Sequence, residues 1–162
     1  MGKELTFREI KTGEEAKACQ IVMDSFCEFV APDYSEEGVS EFSKYVHPLL
    51  MQRRLANNHF VLAAVDDAMF VVVMEVRNYN HISLLFVKKE YHGQGIAKKL
   101  LEIAITKCKQ HNTNNELIEV NSSPFAVDVY EKLGFVKTDI EQIKNGIRFT
   151  PMTKRLVKNH SS

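Results

Sequence analysis

Two glycines at a strand-to-helix junction are the residues whose spacing points most directly to chemistry. The apolar run 82–87 ends in charged residues, and Gly93 and Gly95 lie just before apolar residues return at helical spacing. The first backbone N–H groups of a helix lack partners within the helix, and the helix dipole places partial positive charge there. Glycine also lets a ligand approach the backbone closely. The junction is therefore expected to bind phosphate.

Two common phosphate-binding motifs do not fit this junction. A Walker loop needs a Lys-Ser/Thr pair, which does not follow at the required spacing. A dinucleotide-binding fingerprint needs a third glycine where this sequence has Lys98, and three antiparallel-type strands precede the junction. The sequence therefore predicts a phosphate-binding turn on a different fold.

The first third of the chain predicts one strand followed by irregular helices. Alternating apolar and polar residues predict a strand over residues 5–10, and Thr12 begins a helix through a capping-box spacing to Glu15. Ser35 caps a second helix, and a third helical segment ends at residues 57–58. Because this region is the most irregular, we expect it to border the substrate pocket.

The rest of the chain predicts strands separated by two clear helices. The predicted strands are 59–65, 69–76, 81–88 and 117–121, with a helix over 96–109. Ser123-Pro124 starts a second helix, which ends at Gly134. Residues 135–143 and 147–156 form a terminal hairpin around Asn145-Gly146, with Pro151 at an edge or a bulge. Because an edge strand has unpaired backbone groups, we predict that two copies of the chain could pair through this hairpin as a homodimer.

The predicted order, β-α-α-β-β-β-α-β-α-β-β, describes a mixed α/β fold with a mostly antiparallel central sheet flanked by helices. At 162 residues the chain is expected to form a single domain, residues 1–162, with its core at about 5–156 and a frayed tail over 158–162. Formal charge sums to zero, which argues against a nucleic-acid or membrane partner. The three cysteines show no metal-type spacing and predict reduced thiols in a cytoplasmic protein.

Two segments together resemble the GNAT superfamily of acetyl-CoA-dependent N-acetyltransferases. Residues 92–97, HGQGIA, resemble its signature of Arg or Gln, two residues, Gly, one residue, then Gly or Ala, with His92 in the first position. Residues 126–135, AVDVYEKLGF, resemble its A-x-x-x-Y-E-K-x-G-F segment. The order of elements over residues 5–156 also agrees with the family fold.

The resemblance implies transfer of an acetyl group from acetyl-CoA to a primary amine by direct attack, with no metal. It implies that the main chain of residues 85–87 pairs with the pantetheine arm and that amides of residues 93–98 hold the pyrophosphate. The cofactor-binding residues it implies are Leu85, Phe86, Val87, His92, Gly93, Gln94, Gly95, Ile96, Ala97, Lys98, Asn121, Ser123, Ala126 and Tyr130.

Tyr130 is the expected general acid and His81 a candidate general base. A phenol at hydrogen-bond distance can protonate the CoA thiolate as it leaves, and Tyr130 lies on the same helix side as Ala126. His81 opens a predicted strand where some relatives carry a catalytic Glu, and imidazole titrates near neutrality. Glu75 and Glu28 are weaker candidates for the base.

The sequence leaves the acceptor and one alternative function open. Antibiotic, polyamine, amino acid and protein N-terminus all remain candidate acceptors. Glu28, Asp33, Glu36 and Glu37 could attract a cationic acceptor, but a solvated face explains them equally well. The alternative function is a catalytically silent module that binds acyl-CoA as a sensor or recognises a partner.

Overall fold

The computed structural model describes residues 4–156, so the predicted tail lies outside the described residues. An eight-stranded sheet has the order β1-β2-β3-β4-β5-β8-β6, and β7 pairs with β8. The strands are β1 (Thr6–Glu9), β2 (His59–Asp66), β3 (Met69–Arg77), β4 (His81–Val87), β5 (Leu117–Ser122), β6 (Val136–Lys137), β7 (Gln142–Lys144) and β8 (Ile147–Arg155). Only β4 and β5 pair in parallel within the described residues, which confirms the predicted mixed, mostly antiparallel fold.

Helices cover both faces of the sheet. They are α1 (Glu15–Ser25), α2 (Glu36–Tyr45), α3 (Pro48–Leu55), α4 (Ile96–His111) and α5 (Val127–Lys132). A π-helix over Phe26–Val30 and 3₁₀ turns over Ala31–Asp33 and Lys89–Tyr91 interrupt the regular elements. On one face, α4 and α5 bury Leu100, Ala104 and Tyr130 against β2–β5. On the other face, α1 and α3 bury Val22 and Met51.

Two helix starts predicted from capping residues are wrong. The first helix begins at Glu15, and no side chain caps its first turn. Glu14 instead accepts hydrogen bonds from Arg8 and from the Lys11 N–H, and these lower the pKa of its carboxyl to about 2. The helix predicted from Ser123-Pro124 begins only at Val127, because the Ser123 hydroxyl accepts the Ala126 N–H in a separate turn.

The terminal hairpin also differs from its prediction. The strand predicted over residues 135–143 is two short strands, β6 and β7. Pro151 is not at a sheet edge, because β8 pairs with β5 along its whole C-terminal part. The Pro151 carbonyl accepts the Thr138 N–H. The backbone N–H that proline lacks would point to the same side of β8, toward the break between β6 and β7. The proline therefore lies beside a break between strands, where no strand partner needs the hydrogen-bond donor that proline lacks.

Three other signals of local structure are confirmed. The Ser35 hydroxyl accepts the Gly38 N–H at the start of α2. Gly134 has φ +97°, and the N–H of Phe135 bonds to the carbonyl of Tyr130, as in a Schellman motif. The Asn145-Gly146 turn has positive φ at both residues, as a two-residue hairpin requires. The predicted homodimer, which depends on this edge of the sheet, stays a prediction.

Gly38 gives a test of how α2 is positioned. A Cβ at Gly38 would overlap the backbone carbonyl of Gly146, and a backbone clash has no flexible side chain to relieve it. We expect Gly38→Ala to lower the free energy of unfolding by about 1–3 kcal/mol or more. Urea unfolding would measure it, with the exposed neighbour Ser40→Ala as the control. Equal stability of the two variants would contradict this packing.

Candidate active site

A cleft opens in the sheet where β4 and β5 separate. The two strands pair only at His81 with Glu119 and at Ile82 with Val120. Ser83 is an extra residue in the ladder between β4 and β3, since Ile82 lies opposite Val76 and Leu84 lies opposite Glu75. A bulge of this kind bends its strand. The remainder of β4 therefore has no strand partner on the β5 side.

A cavity of about 530 Å³ occupies this cleft. Its lining includes every cofactor-binding residue predicted from the sequence, on β4, the following turn, the start of α4, the end of β5 and α5. His81 is not in the lining. The structure therefore brings the predicted binding residues together around one cavity and leaves the candidate base outside it.

The N-terminus of α4 forms one end of the cavity. Gly95 is the N-cap with φ +75°, and Gly93 has φ +73°. No described side chain caps this helix, and its first turn carries no acidic residue. A Cβ at either glycine would have no described atom within 4 Å, so both backbones face open space. The amides and the helix dipole are consequently free for an anion.

Tyr130 projects from α5 into the buried part of the cavity. Its ring packs edge-on against Phe135, with centroids 5.3 Å apart. Burial raises the pKa of the phenol well above its ordinary value, so the group stays protonated at neutral pH. Its hydroxyl makes no hydrogen bond to any described residue, which leaves a donor available to whatever fills the cavity.

A family model for the acetyltransferase (GNAT) domain matches residues 30–156. The chain belongs to the GNAT family. It is therefore an acyltransferase enzyme, and the resemblance found in the two motifs is confirmed.

Curated relatives and solved structures agree with this assignment. The chain is 28% identical over 123 residues to N-alpha-acetyltransferase 30 of Schizosaccharomyces pombe, covering 71% of this chain and 78% of that protein. It is 38% identical over 63 residues to N-alpha-acetyltransferase 30 of Saccharomyces cerevisiae, covering 38% of this chain and only 36% of that protein. PaiA N-acetyltransferase from Thermoplasma acidophilum, solved with coenzyme A, has the same fold, with TM-score 0.79, 17% identity and coverage of 94% and 99%.

In this GNAT protein, His92 occupies the first motif position and contacts the edge of β4. Its Nε2 atom lies 2.8 Å from the carbonyl oxygen of Val87. The Ser25 hydroxyl donates to the same oxygen at 3.3 Å. Phe29 packs on the His92 ring, with centroids 5.1 Å apart. His92 thus holds the turn against the strand end rather than extending toward the backbone amides at the start of α4.

The three candidate bases all lie outside the cavity lining of this GNAT protein. His81 is buried at the start of β4, where desolvation lowers its pKa, and its Nδ1 lies 3.8 Å from a Glu119 carboxylate oxygen. Glu75 is fully buried and held by Arg54 and His59, whereas exposed Glu28 pairs with Lys89 at 3.2 Å. The general-base role of His81 stays a prediction.

Sequence reasoning missed the aromatic residues that line the cavity. The chain becomes π-helical at Phe26, after the end of α1, and Phe29 lines the cavity. Phe125 stacks on Phe29 across the cleft, with centroids 5.0 Å apart. The available signal in the sequence was the irregular segment at Ala31-Pro32-Asp33, and residues on both sides of this segment do line the cavity.

No described helix is both long enough and apolar enough to cross a bilayer. Within residues 4–156, no group of three or more His, Cys, Asp or Glu side chains is arranged to hold a metal ion.

Proposed function

We propose that this enzyme transfers an acetyl group from acetyl-CoA to a primary amine by direct attack. The main support for the proposal is the unpaired edge of β4. This edge begins after Ile82, where β4 and β5 separate, and leads toward the uncapped N-terminus of α4. An extended amide-containing chain can pair with such an edge like an added strand. The diphosphate then falls at the helix N-terminus, where N–H groups and the dipole favour anions.

The residues of the cleft fit coenzyme A. Leu85 on the unpaired edge of β4 offers backbone groups to the pantetheine arm, whereas the Val87 carbonyl is already contacted by His92 and the Ser25 hydroxyl. The residues from Gly93 to Lys98 line the end of the cavity where we place the diphosphate. The Lys98 side chain also lines the cavity, whereas Lys99 turns away and lies 4.7 Å from the Phe7 ring centroid. Acetyl-CoA supplies an activated thioester carbonyl and a thiolate leaving group.

Tyr130 would donate a hydrogen bond and then a proton to the departing sulfur. A free thiol has a pKa near ~8.5, below that of the buried phenol. The same apolar surroundings raise the pKa of the departing thiol too, because burial disfavours any lone negative charge. The phenol therefore stays protonated until negative charge develops beside it, which is when its donation stabilises the transition state.

Direct transfer agrees with the positions of the cysteines. Cys19 and Cys108 are buried, and desolvation raises the pKa of each thiol to about 11. Cys27 is exposed, and none of the three lines the cavity. A covalent acyl-enzyme would need a thiolate within reach of the thioester. The nucleophile we propose is accordingly the neutral acceptor amine itself, with its proton passing to water or through water to His81.

The names of the relatives support an amine acceptor. The Schizosaccharomyces pombe relative is named as an N-alpha-acetyltransferase, and the Thermoplasma acidophilum structure is a complex of an N-acetyltransferase with coenzyme A. A decisive experiment combines calorimetric titration of coenzyme A and acetyl-CoA with thiol release across a panel of primary amines. Absence of heat with both would overturn the proposal. Tight binding with no release from any amine would favour the acyl-CoA sensor.

Gly95 gives a direct test of the anion site. A methyl group there would project into the cavity, where a diphosphate approaches the backbone, so we expect Gly95→Ala to weaken acetyl-CoA binding about tenfold. Gly13→Ala is the matched control, because Gly13 also has positive φ and open surroundings but does not line the cavity. Both variants should lose similar stability. Equal acetyl-CoA affinity in the two variants would contradict the placement of the diphosphate.

A further inference from the structure

Aromatic residues form one wall of the cavity, on the face of the sheet opposite α4. We define the aromatic wall as Phe29, Val30, Tyr34, Phe42 and Phe86. Phe42 and Phe86 pack with the core on the α1 side of the sheet, whereas Ile96 and Tyr130 pack with the core on the α4 side. The cleft between β4 and β5 joins the two sides. With the diphosphate at α4, the aromatic wall is the surface left for the acceptor.

No described residue that lines the cavity is an Asp or a Glu. The charged side chains in the lining are Lys98 and Lys132, and His92 is the one other group there that can become cationic. None of the acidic residues that the sequence suggested for attracting a cation lines the cavity, and two of them have cationic partners. Glu28 pairs with Lys89 at 3.2 Å, and an Asp33 carboxylate oxygen lies 3.9 Å from Arg148. An acceptor with an additional ammonium group would therefore meet no carboxylate in this cavity.

Two rings of the aromatic wall, Phe42 and Phe29, each have one face covered by a ring outside the wall. Phe26 stacks on Phe42 with centroids 4.0 Å apart and an angle of 14° between the rings. Phe125 stacks on Phe29 in the same way. Cation–π binding requires an open ring face, and one face of each of these rings is covered. Apart from the Tyr34 hydroxyl, the side chains of the wall are hydrocarbon, which favours an apolar group.

We infer that the acceptor is a primary amine whose adjacent substituent is apolar, and that acceptors with a second ammonium group are rejected. This inference rests on the proposed function and narrows its acceptor. An apolar substituent against the aromatic wall loses contact with water and gains contacts with the rings. A second ammonium group placed there loses hydration without gaining a carboxylate in return.

Norleucinamide and lysinamide form a matched pair for the test. Their backbones and α-amines are the same and their side chains are similar in length, but only lysinamide carries a side-chain ammonium group. An α-amine has a pKa of roughly 7.7–8.0, so at pH 8 much of it is neutral without a protein base. With saturating acetyl-CoA, we expect thiol release to give norleucinamide a kcat/KM at least about tenfold higher than lysinamide. Phenylalaninamide should also exceed lysinamide.

A carboxylate introduced into the aromatic wall should reverse this preference. We expect Phe42→Glu to raise kcat/KM for lysinamide relative to norleucinamide by about a hundredfold, enough to reverse a tenfold preference. Tyr34→Glu serves the same purpose if loss of the Phe26–Phe42 stack prevents folding. Ile140→Glu is the control for added charge, because Ile140 is 79% exposed and lies outside this cavity. It should leave the ratio unchanged.

The outcomes separate the inference from the proposed function. Preference for norleucinamide in the parent enzyme, with a reversed ratio in a wall variant, supports the inference. Equal or better use of lysinamide by the parent overturns the inference and leaves acetyl transfer intact. A wall variant that folds, binds coenzyme A and keeps the parental ratio also overturns it. Coenzyme A binding with no thiol release from any of the three amides would overturn the inference, and thiol release across the broader amine panel would then decide the proposed function.

Discussion

Replacing Tyr130 by phenylalanine should lower kcat by about 10²–10⁴-fold and leave acetyl-CoA affinity nearly unchanged. The substitution keeps the ring that packs on Phe135 and removes only the hydroxyl. That hydroxyl has no hydrogen-bond partner among the described residues, so its loss leaves no buried group unsatisfied. Pre-steady-state thiol release and calorimetric titration of acetyl-CoA would measure the two effects separately.

Tyr45→Phe is the matched control for the Tyr130 variant. The Tyr45 hydroxyl is also buried, with Ser83 as the neighbouring polar side chain, but Tyr45 does not line the cavity. Both variants should keep parental stability within about 0.5 kcal/mol. Only the Tyr130 variant should lose turnover. Equal kcat in all three proteins would remove Tyr130 from the acid role, whereas a large loss of acetyl-CoA affinity would make it a binding residue instead.

The phosphate-binding junction could be predicted from the sequence because its determinants are local. A strand, two glycines and a helix follow one another within one short segment, and glycine favours the positive φ observed at Gly93 and Gly95. The end of α5 just before Gly134 could be predicted for the same reason, because it also depends on one glycine and its neighbours in the sequence. Such features depend on backbone chemistry that a few neighbouring residues determine.

The cleft itself could not be predicted, because it depends on the relation between distant strands. The pairing of β4 with β5 ends after Ile82 and Val120, and no local pattern shows where the two strands diverge. Ser83 becomes a bulge only through its register against β3. The turn of Phe29 toward the cavity likewise requires a π-helix that the apolar stripe of α1 does not reveal. Tertiary packing determines these features.

A buried ionic cluster beside the cleft should be essential to stability, and Arg54→Met is expected to lower the free energy of unfolding by about 3–5 kcal/mol. Glu75 is fully buried on β3, and both its carboxylate oxygens accept from Arg54, at 2.7 and 2.9 Å. His59 lies 2.8 Å from one of these oxygens, and Arg54 also donates to the carbonyl of Tyr45. Methionine fills similar space but leaves the buried carboxylate without its cationic partner.

The neighbouring arginine and a double variant distinguish loss of charge pairing from loss of packing. Arg53 is exposed on the same helix, so Arg53→Met should change stability by no more than about 0.5 kcal/mol. Combining Arg54→Met with Glu75→Met removes both charges and should restore much of the lost stability, because an apolar pair needs no compensation. Urea unfolding would measure all three. If the double variant is as unstable as Arg54→Met alone, packing rather than the unpaired carboxylate explains the loss.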